Sequence, residues 1–210
     1  MPATTGRLYR GQSAVERQEE RRQRLIEAGL DLFARRGYLN TSIEEICATA
    51  AISTRNFYEL VDGREGLLVL LHDIAMRRAQ DAVLDALATA SQDDVVQRVR
   101  TALGAFVGAM TADPRWARIA YVEVVGISAT VERRRHTWMN RFATLIAAEA
   151  DAIAARGLAP RRDHELTAVA LVGALDRLIV HWQATARRRP PARLLVEELT
   201  RLFVAALSAA

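Results

Sequence analysis

Four side chains in the stretch ISTRNFYEL, residues 52–60, are of types that could do chemistry together: Thr54, Arg55, Asn56 and Tyr58. They surround one apolar residue, Phe57. On a helix beginning after Ser53, Phe57 turns inward and the other four are left facing out. A hydroxyl, a guanidinium, an amide and a phenol all donate hydrogen bonds. Such groups bond phosphate oxygens and read base edges. A solvated helix face would more often interleave acids with bases, whereas here no acid appears before Glu59.

Support for covalent chemistry is absent. His72, His136, His164 and His181 are scattered without metal-ligand spacing. The chain has no HExxH, no Gly-rich phosphate loop after a strand and no GxSxG. The expectation is a protein that is not an enzyme and needs neither metal nor cofactor. The single cysteine, Cys47, excludes an internal disulfide, which fits a reducing compartment. It falls on an apolar helix face and reads as a small buried residue.

Elements must position the donors, and composition says which kind. Half of the 210 residues are apolar, Ala and Leu dominate, and Gly and Pro are scarce. That favours an all-helical fold. The chain has no Lys, so all 29 basic residues are Arg, a bias that GC-rich coding largely explains. Net charge is +4, yet residues 1–66 hold ten Arg against ten acids. Any nucleic-acid contact therefore rests on where the Arg residues sit, not on bulk charge. The N-terminus lacks the apolar core of a signal peptide, and charge breaks every apolar run short of a membrane span. A cytoplasmic protein with no membrane partner is expected.

Residues 1–17 read as a mobile N-terminal arm in which Arg7 and Arg10 could touch an anionic partner, and Ser13 could cap the first helix. That helix ends at Gly37. Thr41 and Glu44 form a capping-box pattern before Ile43, Ile46, Cys47 and Ala50, which share one face. After Ala51-Ile52, Ser53 caps a helix over 54–60. Asp62-Gly63-Arg64-Glu65 repeats the capping logic before a long fourth helix. Short helix, tight turn, short helix is the helix-turn-helix pattern, here at about 42–61. Helices this short need neighbours to pack on. Further helices begin after Ser91, at Asp113-Pro114, at Ser128 and at Asp163, and a last one carries Leu195, Leu199, Leu202, Phe203 and Ala206 on one stripe. About nine helices result, with no strand pattern.

From Arg24 to Leu67 the sequence resembles the TetR family of bacterial transcriptional regulators. LIEAGLDLFARRGY, TSIEEI, ISTRNFY and DGREGL follow one another in that family's order and spacing. The resemblance implies an N-terminal helix-turn-helix domain, 18–78, joined by the fourth helix to a ligand-binding and dimerisation domain, 79–210. It implies base contacts from Thr54, Arg55 and Asn56, and phosphate contacts from Thr41, Ser42, Tyr58 and Arg64. Arg64 stands where the family usually has Lys, Ala51 where it has a turn glycine, and Val61 where it has Phe. Glu59 and Leu60 stand where a histidine or other polar contact is common.

In the C-terminal part, Glu123 and Glu149 sit among apolar residues, so each is either half of an ion pair or a ligand anchor. With Phe106, Met110, Trp116, Tyr121, Trp138 and Phe142 they form the expected pocket set, since by resemblance the pocket lies among these helices. The helix after Asp163 is apolar on more than one side. With the last helix it resembles the family's dimer interface, a four-helix bundle with Val169, Val172, Leu175, Ile179, Leu195, Leu199 and Leu202 at the contact. The implied function is a homodimeric, sequence-specific DNA-binding transcriptional regulator, a repressor released from a palindromic double-stranded operator by a small-molecule effector. The alternative is a helical small-molecule binding or sequestering protein with a vestigial helix-turn-helix.

Overall fold

A computed structural model describes residues 14–185 and 189–208. Among them the fold is entirely helical, as expected. The helices are α1 (Ala14–Arg36), α2 (Ile43–Ala50), α3 (Thr54–Leu60), α4 (Gly63–Thr89), α5 (Val95–Thr111), α6 (Pro114–Arg118), α7 (Ala129–Ala155), α8 (Glu165–Ala184) and α9 (Ala192–Ser208). A 3-10 turn, Tyr38–Asn40, leads into α2, and α6 widens into a π turn, Ile119–Glu123. The first helix starts at Ala14, so residues 14–17 are helical and not arm. Arg7 and Arg10 lie outside the described residues.

The first three helices form a small body against the start of α4. Leu25, Leu30 and Phe33 of α1, Ile46 of α2, Phe57 of α3 and Leu67, Leu68 and Leu71 of α4 are all buried in one core. Gly29 permits the close approach of α4. A Cβ there would stand 2.8 Å from Leu67 Cδ2 and 3.2 Å from its Cγ. Beyond residue 80, α4 packs along α5, α5 along α9, and α7 along α8.

Caps explain where most helices begin, and two differ from the sequence pattern. At α2 the capping box is Ser42 with Glu45, one residue later than Thr41 with Glu44. Ser42 Oγ accepts from Glu45 N, and Glu45 Oε2 accepts from Ser42 N at 2.9 Å. At α4 no box forms, because Asp62 makes no side-chain cap bond. Glu65 instead accepts from Ser128 Oγ at 2.8 Å, tying α4 to the start of α7. Ser53, Asp94, Asp113 and Ser128 each cap the helix that follows. No helix among the described residues is long and apolar enough to cross a membrane.

Candidate nucleic-acid interface and ligand cavity

Phe57 is fully buried and sets the orientation of α3, leaving Thr54, Arg55, Tyr58 and Glu59 exposed and Asn56 half-buried. Asn56 N donates to Ser53 Oγ at 3.1 Å, the bond that caps α3. Arg55 is committed to a neighbour. Its Nε donates to Glu59 Oε1 at 3.0 Å on a side chain 87% exposed. An exposed pair of this kind is weak, a few tenths of a kcal/mol. Glu59 therefore holds Arg55 along the helix and competes with any anionic partner for it.

The turn before α3 is made by Ala51, at φ 52° and ψ 49°. Among the described residues it is the one non-glycine with positive φ. Left-handed backbone costs an L-residue roughly 1–2 kcal/mol. Ile52, buried directly after it, and its N–H bond to the Cys47 carbonyl hold the turn in place.

The set expected to face phosphates divides. Tyr58 is exposed, with its ring edge-on to Phe57. Ser42 is half-buried, with its hydroxyl engaged in the capping box. Thr41 must be corrected. It is 1% exposed, its hydroxyl donates to the Gly37 carbonyl at 2.9 Å, and its N–H bonds the Tyr38 carbonyl. No group of Thr41 is left for a phosphate. Its carbonyl instead accepts from Arg64 Nη1 at 2.6 Å, and the Arg64 guanidinium lies 4.5 Å over the Tyr38 ring. Thr41 thus serves as the seat of Arg64, which stays half-exposed at the start of α4 with its other donors available.

Two polar joints tie this head to the rest. Glu123, at the end of the π turn, is buried; its Oε2 accepts from Tyr38 N at 2.7 Å and its Oε1 from Arg118 Nε at 2.8 Å. Arg115 of α6 reaches Glu27 of α1 at 2.6 Å and also holds Asp113. Further along α4, Asp73 accepts from Arg134 Nε and Nη2, at 2.6 and 2.5 Å, and from Trp138 Nε1 at 2.7 Å. Burial opposes ionisation of Asp73, but His72, Arg134 and Trp138 outweigh it and hold the carboxyl well below the usual carboxylate range.

Further along α4 lies a narrow apolar slot of about 80 Å³. Val83 and Leu87 of α4, Val99, Leu103 and Phe106 of α5, and Phe142, Leu145 and Ile153 of α7 form most of its wall. Leu175 of α8 and Phe203 and Leu207 of α9 close it. The slot is well short of the roughly 300–1,000 Å³ of a filled ligand site. One charged pair stands at its end, Arg98 to Glu149 at 2.8 Å. Arg98 also donates Nη1 to the Leu87 and Ala90 carbonyls, closing the C-terminal end of α4.

The family model for bacterial regulatory proteins of the tetR family matches residues 25–70, from α1 through the first turns of α4. Over these residues the chain is similar to the tetR family. No curated protein matches the sequence. Solved structures do match across nearly the whole chain. The fatty acid degradation regulator FadR from Bacillus halodurans superposes with a TM-score of 0.80 at 17% identity, over 90% of this chain and 97% of its own. A FadR from Bacillus subtilis, solved with stearoyl-CoA, gives 0.75 at 12% identity, over 88% and 98%. AibR, solved with isovaleryl coenzyme A and operator DNA, gives 0.66 at 17% identity, over 86% and 96%. At these identities the likeness establishes the fold.

In this chain the expected pocket set separates. Phe106, Phe142 and Glu149 line the slot, and Met110, Trp116, Tyr121, Glu123 and Trp138 do not. Met110 is closed in the core, Trp116 lies under the Arg78 guanidinium, and Trp138 serves Asp73. Glu123 resolves as an ion pair and an anchor for the head. Glu149 is at once an ion pair and a wall residue. Tyr121 is buried, and its hydroxyl has no hydrogen-bond partner among the described residues. Burial and the nearby Asp176 raise its pKa well above the normal phenol value. Burial likewise pushes Asp176 up to about 6, against the opposing pull of Arg135.

The expected dimer set separates too. Val172, Leu175, Ile179, Leu195 and Leu199 are buried within this single chain and cannot form a contact surface. Val169, 52% exposed, and Leu202, 41% exposed, do face outward. The outward face of α8 carries Leu166, Val169, Ala170 and Gly173, with Glu165 before them and Arg177 and His181 after. Sequence reasoning passed over Asp73 and Arg98. A detectable signal existed for both, an ionisable residue inside an apolar run, which is the rule that singled out Glu123.

Proposed function

We infer that the protein is a homodimeric transcriptional repressor that leaves a palindromic operator when a small molecule enters the slot. It acts by binding, with Thr54, Arg55 and Asn56 toward bases and Ser42, Tyr58 and Arg64 toward phosphates. One observation carries the reading. A capped helix-turn-helix with an outward donor face is joined to an apolar slot by one unbroken helix, α4. The outward strip of α8, with Leu202 and Ala205 of α9, is the face that pairs two copies. A twofold dimer then demands half-sites about one helical turn apart, or a multiple of it. Solved proteins of the same fold hold a coenzyme A ester, and in one case operator DNA, which supports these two kinds of partner.

The slot supports release by ligand on physical grounds. It is too narrow to admit a ligand of ordinary size as it stands, so binding favours a conformation in which its walls are further apart. A ligand shifts an equilibrium only through such differential affinity. The test is Arg55→Ala on DNA flanking the protein's own gene. The variant is expected to lose roughly ten- to a hundredfold in operator affinity while remaining dimeric by sedimentation. Wild-type affinity in this variant would refute the contact assignment. A second reading draws on the balanced charge of residues 1–66 and on the Arg55–Glu59 pair. It is a sequestering protein with a vestigial helix-turn-helix, and it predicts no steep salt dependence of DNA binding.

A further inference from the structure

The slot adjoins a second, polar feature that DNA binding does not use. Leu145 of α7 forms part of the slot wall and also part of a groove on the outer surface between α4 and α7. Gln80, Thr137, Asn140, Arg141 and Thr144 line that groove. Val83 in the slot and Gln80 in the groove are one turn apart on α4, and Phe142 and Arg141 are consecutive on α7. The groove contains no carboxylate, in contrast to the cleft at the α7–α8 corner, which is lined by Asp151, Asp163 and Glu165. Arg141 is exposed and makes no ion pair among the described residues. Its guanidinium lies 4.8 Å over the Trp138 ring, which fixes its plane and leaves its edge donors open. Trp138 is itself held by Asp73.

The charged pair at the far end of the slot is a poorer anion site. Arg98 is engaged with Glu149 and with two carbonyls of α4, so a ligand there would have to dismantle three bonds. A charged head cannot sit unpaired between the apolar walls either.

We propose that the effector is an amphiphile, with an unbranched apolar chain in the slot and an anionic head held in the α4–α7 groove by Arg141, with the amides of Gln80 and Asn140 beside it. This rests on the reading of the slot as the effector site. The narrow bore between five helices suits a flexible chain, which can thread between walls, over a rigid ring system. The chain separates α4 from α7 at Leu145 as it enters, and the head closes over the opening.

The test is calorimetric titration of the DNA-free dimer with dodecanoate, dodecanoyl-CoA and dodecanol. Dodecanoate or its thioester is expected to bind, and Arg141→Ala to weaken it about tenfold, with most of the loss restored by Arg141→Lys. Dodecanol is expected to bind more weakly and equally to wild type and Arg141→Ala. Binding of the thioester alone identifies a carrier-bound acyl chain, and equal binding of the acid identifies a free one. Phe106→Trp, checked for native circular dichroism, is expected to block every dodecyl ligand by filling the slot. An anionic ligand indifferent to Arg141→Ala overturns the head assignment, and one indifferent to Phe106→Trp overturns the chain assignment. A protein that binds operator but no dodecyl ligand overturns the ligand class and leaves the regulator reading intact. A protein that binds dodecanoate but no operator does the reverse.

Discussion

The helix-turn-helix head and the slot are built on opposite principles. In the head, local chemistry closes every account: Ser42 and Ser53 cap their helices, Phe57 fills the centre, and Thr41 is bonded through all three of its polar groups. What remains outside is a small set of donors on a fixed frame. In the slot, five helices meet around space that side chains leave unfilled. Facing walls forfeit dispersion contacts there, and an occupant that supplies them stabilises whichever state admits it. Under the proposed function, the region that reads a fixed surface is the tightly packed one and the region that responds is the incomplete one.

The comparison breaks most visibly under matched truncations. Phe57→Ala is expected to cost about 3–5 kcal/mol and Phe106→Ala less, about 2–3 kcal/mol, because Phe106 already faces space on one side. Thermal unfolding followed by circular dichroism measures both, and equal losses would mean that the slot is packed as tightly as the head. Next in size is the joint between the regions. Glu123→Ala leaves the buried Tyr38 N–H without an acceptor and should cost about 1–3 kcal/mol. Hydrogen exchange at Tyr38 and in α2 should quicken, whereas protection confined to its wild-type level would show that the head stands without the joint. Relieving the turn is a smaller effect: Ala51→Gly is expected to stabilise by about 1 kcal/mol, read as a rise of a few degrees in Tm. Smallest is Glu59→Gln, which frees Arg55. It should tighten operator binding roughly twofold at low salt and have no effect at high salt. A loss of affinity there would mean that the pair helps to aim Arg55.

The head was legible in the sequence because caps and helical period are local signals. One of its slips is instructive. Thr41 with Glu44 and Ser42 with Glu45 both satisfy the capping pattern, and only tertiary structure chooses between them. The 3-10 turn draws Thr41 inward beneath Arg64, so Ser42 becomes the cap. The slot was not legible for a different reason. An apolar residue announces burial but not what it is buried against, and no residue type announces empty space. Met110 and Trp138 are as apolar as Phe106 and Phe142, yet they fill the core. In α8 the sequence showed apolar residues on two sides without saying which side faces its own chain. Val172, Leu175 and Ile179 turned in, while Leu166 and Val169 turned out.

The clamp of Arg134 and Trp138 on Asp73 has a mechanical consequence. Asp73 lies ten residues after Gly63, where α4 begins beside the head, and ten before Val83, where it enters the slot wall. At 1.5 Å per residue, each arm is about 15 Å long. Asp73 is therefore a grip placed halfway along α4 between the head and the slot wall. A rigid α4 pivoting there would carry a displacement of about 1 Å at the slot to the head at about the same size and with opposite sign, which under the proposed function is the motion that a ligand would impose.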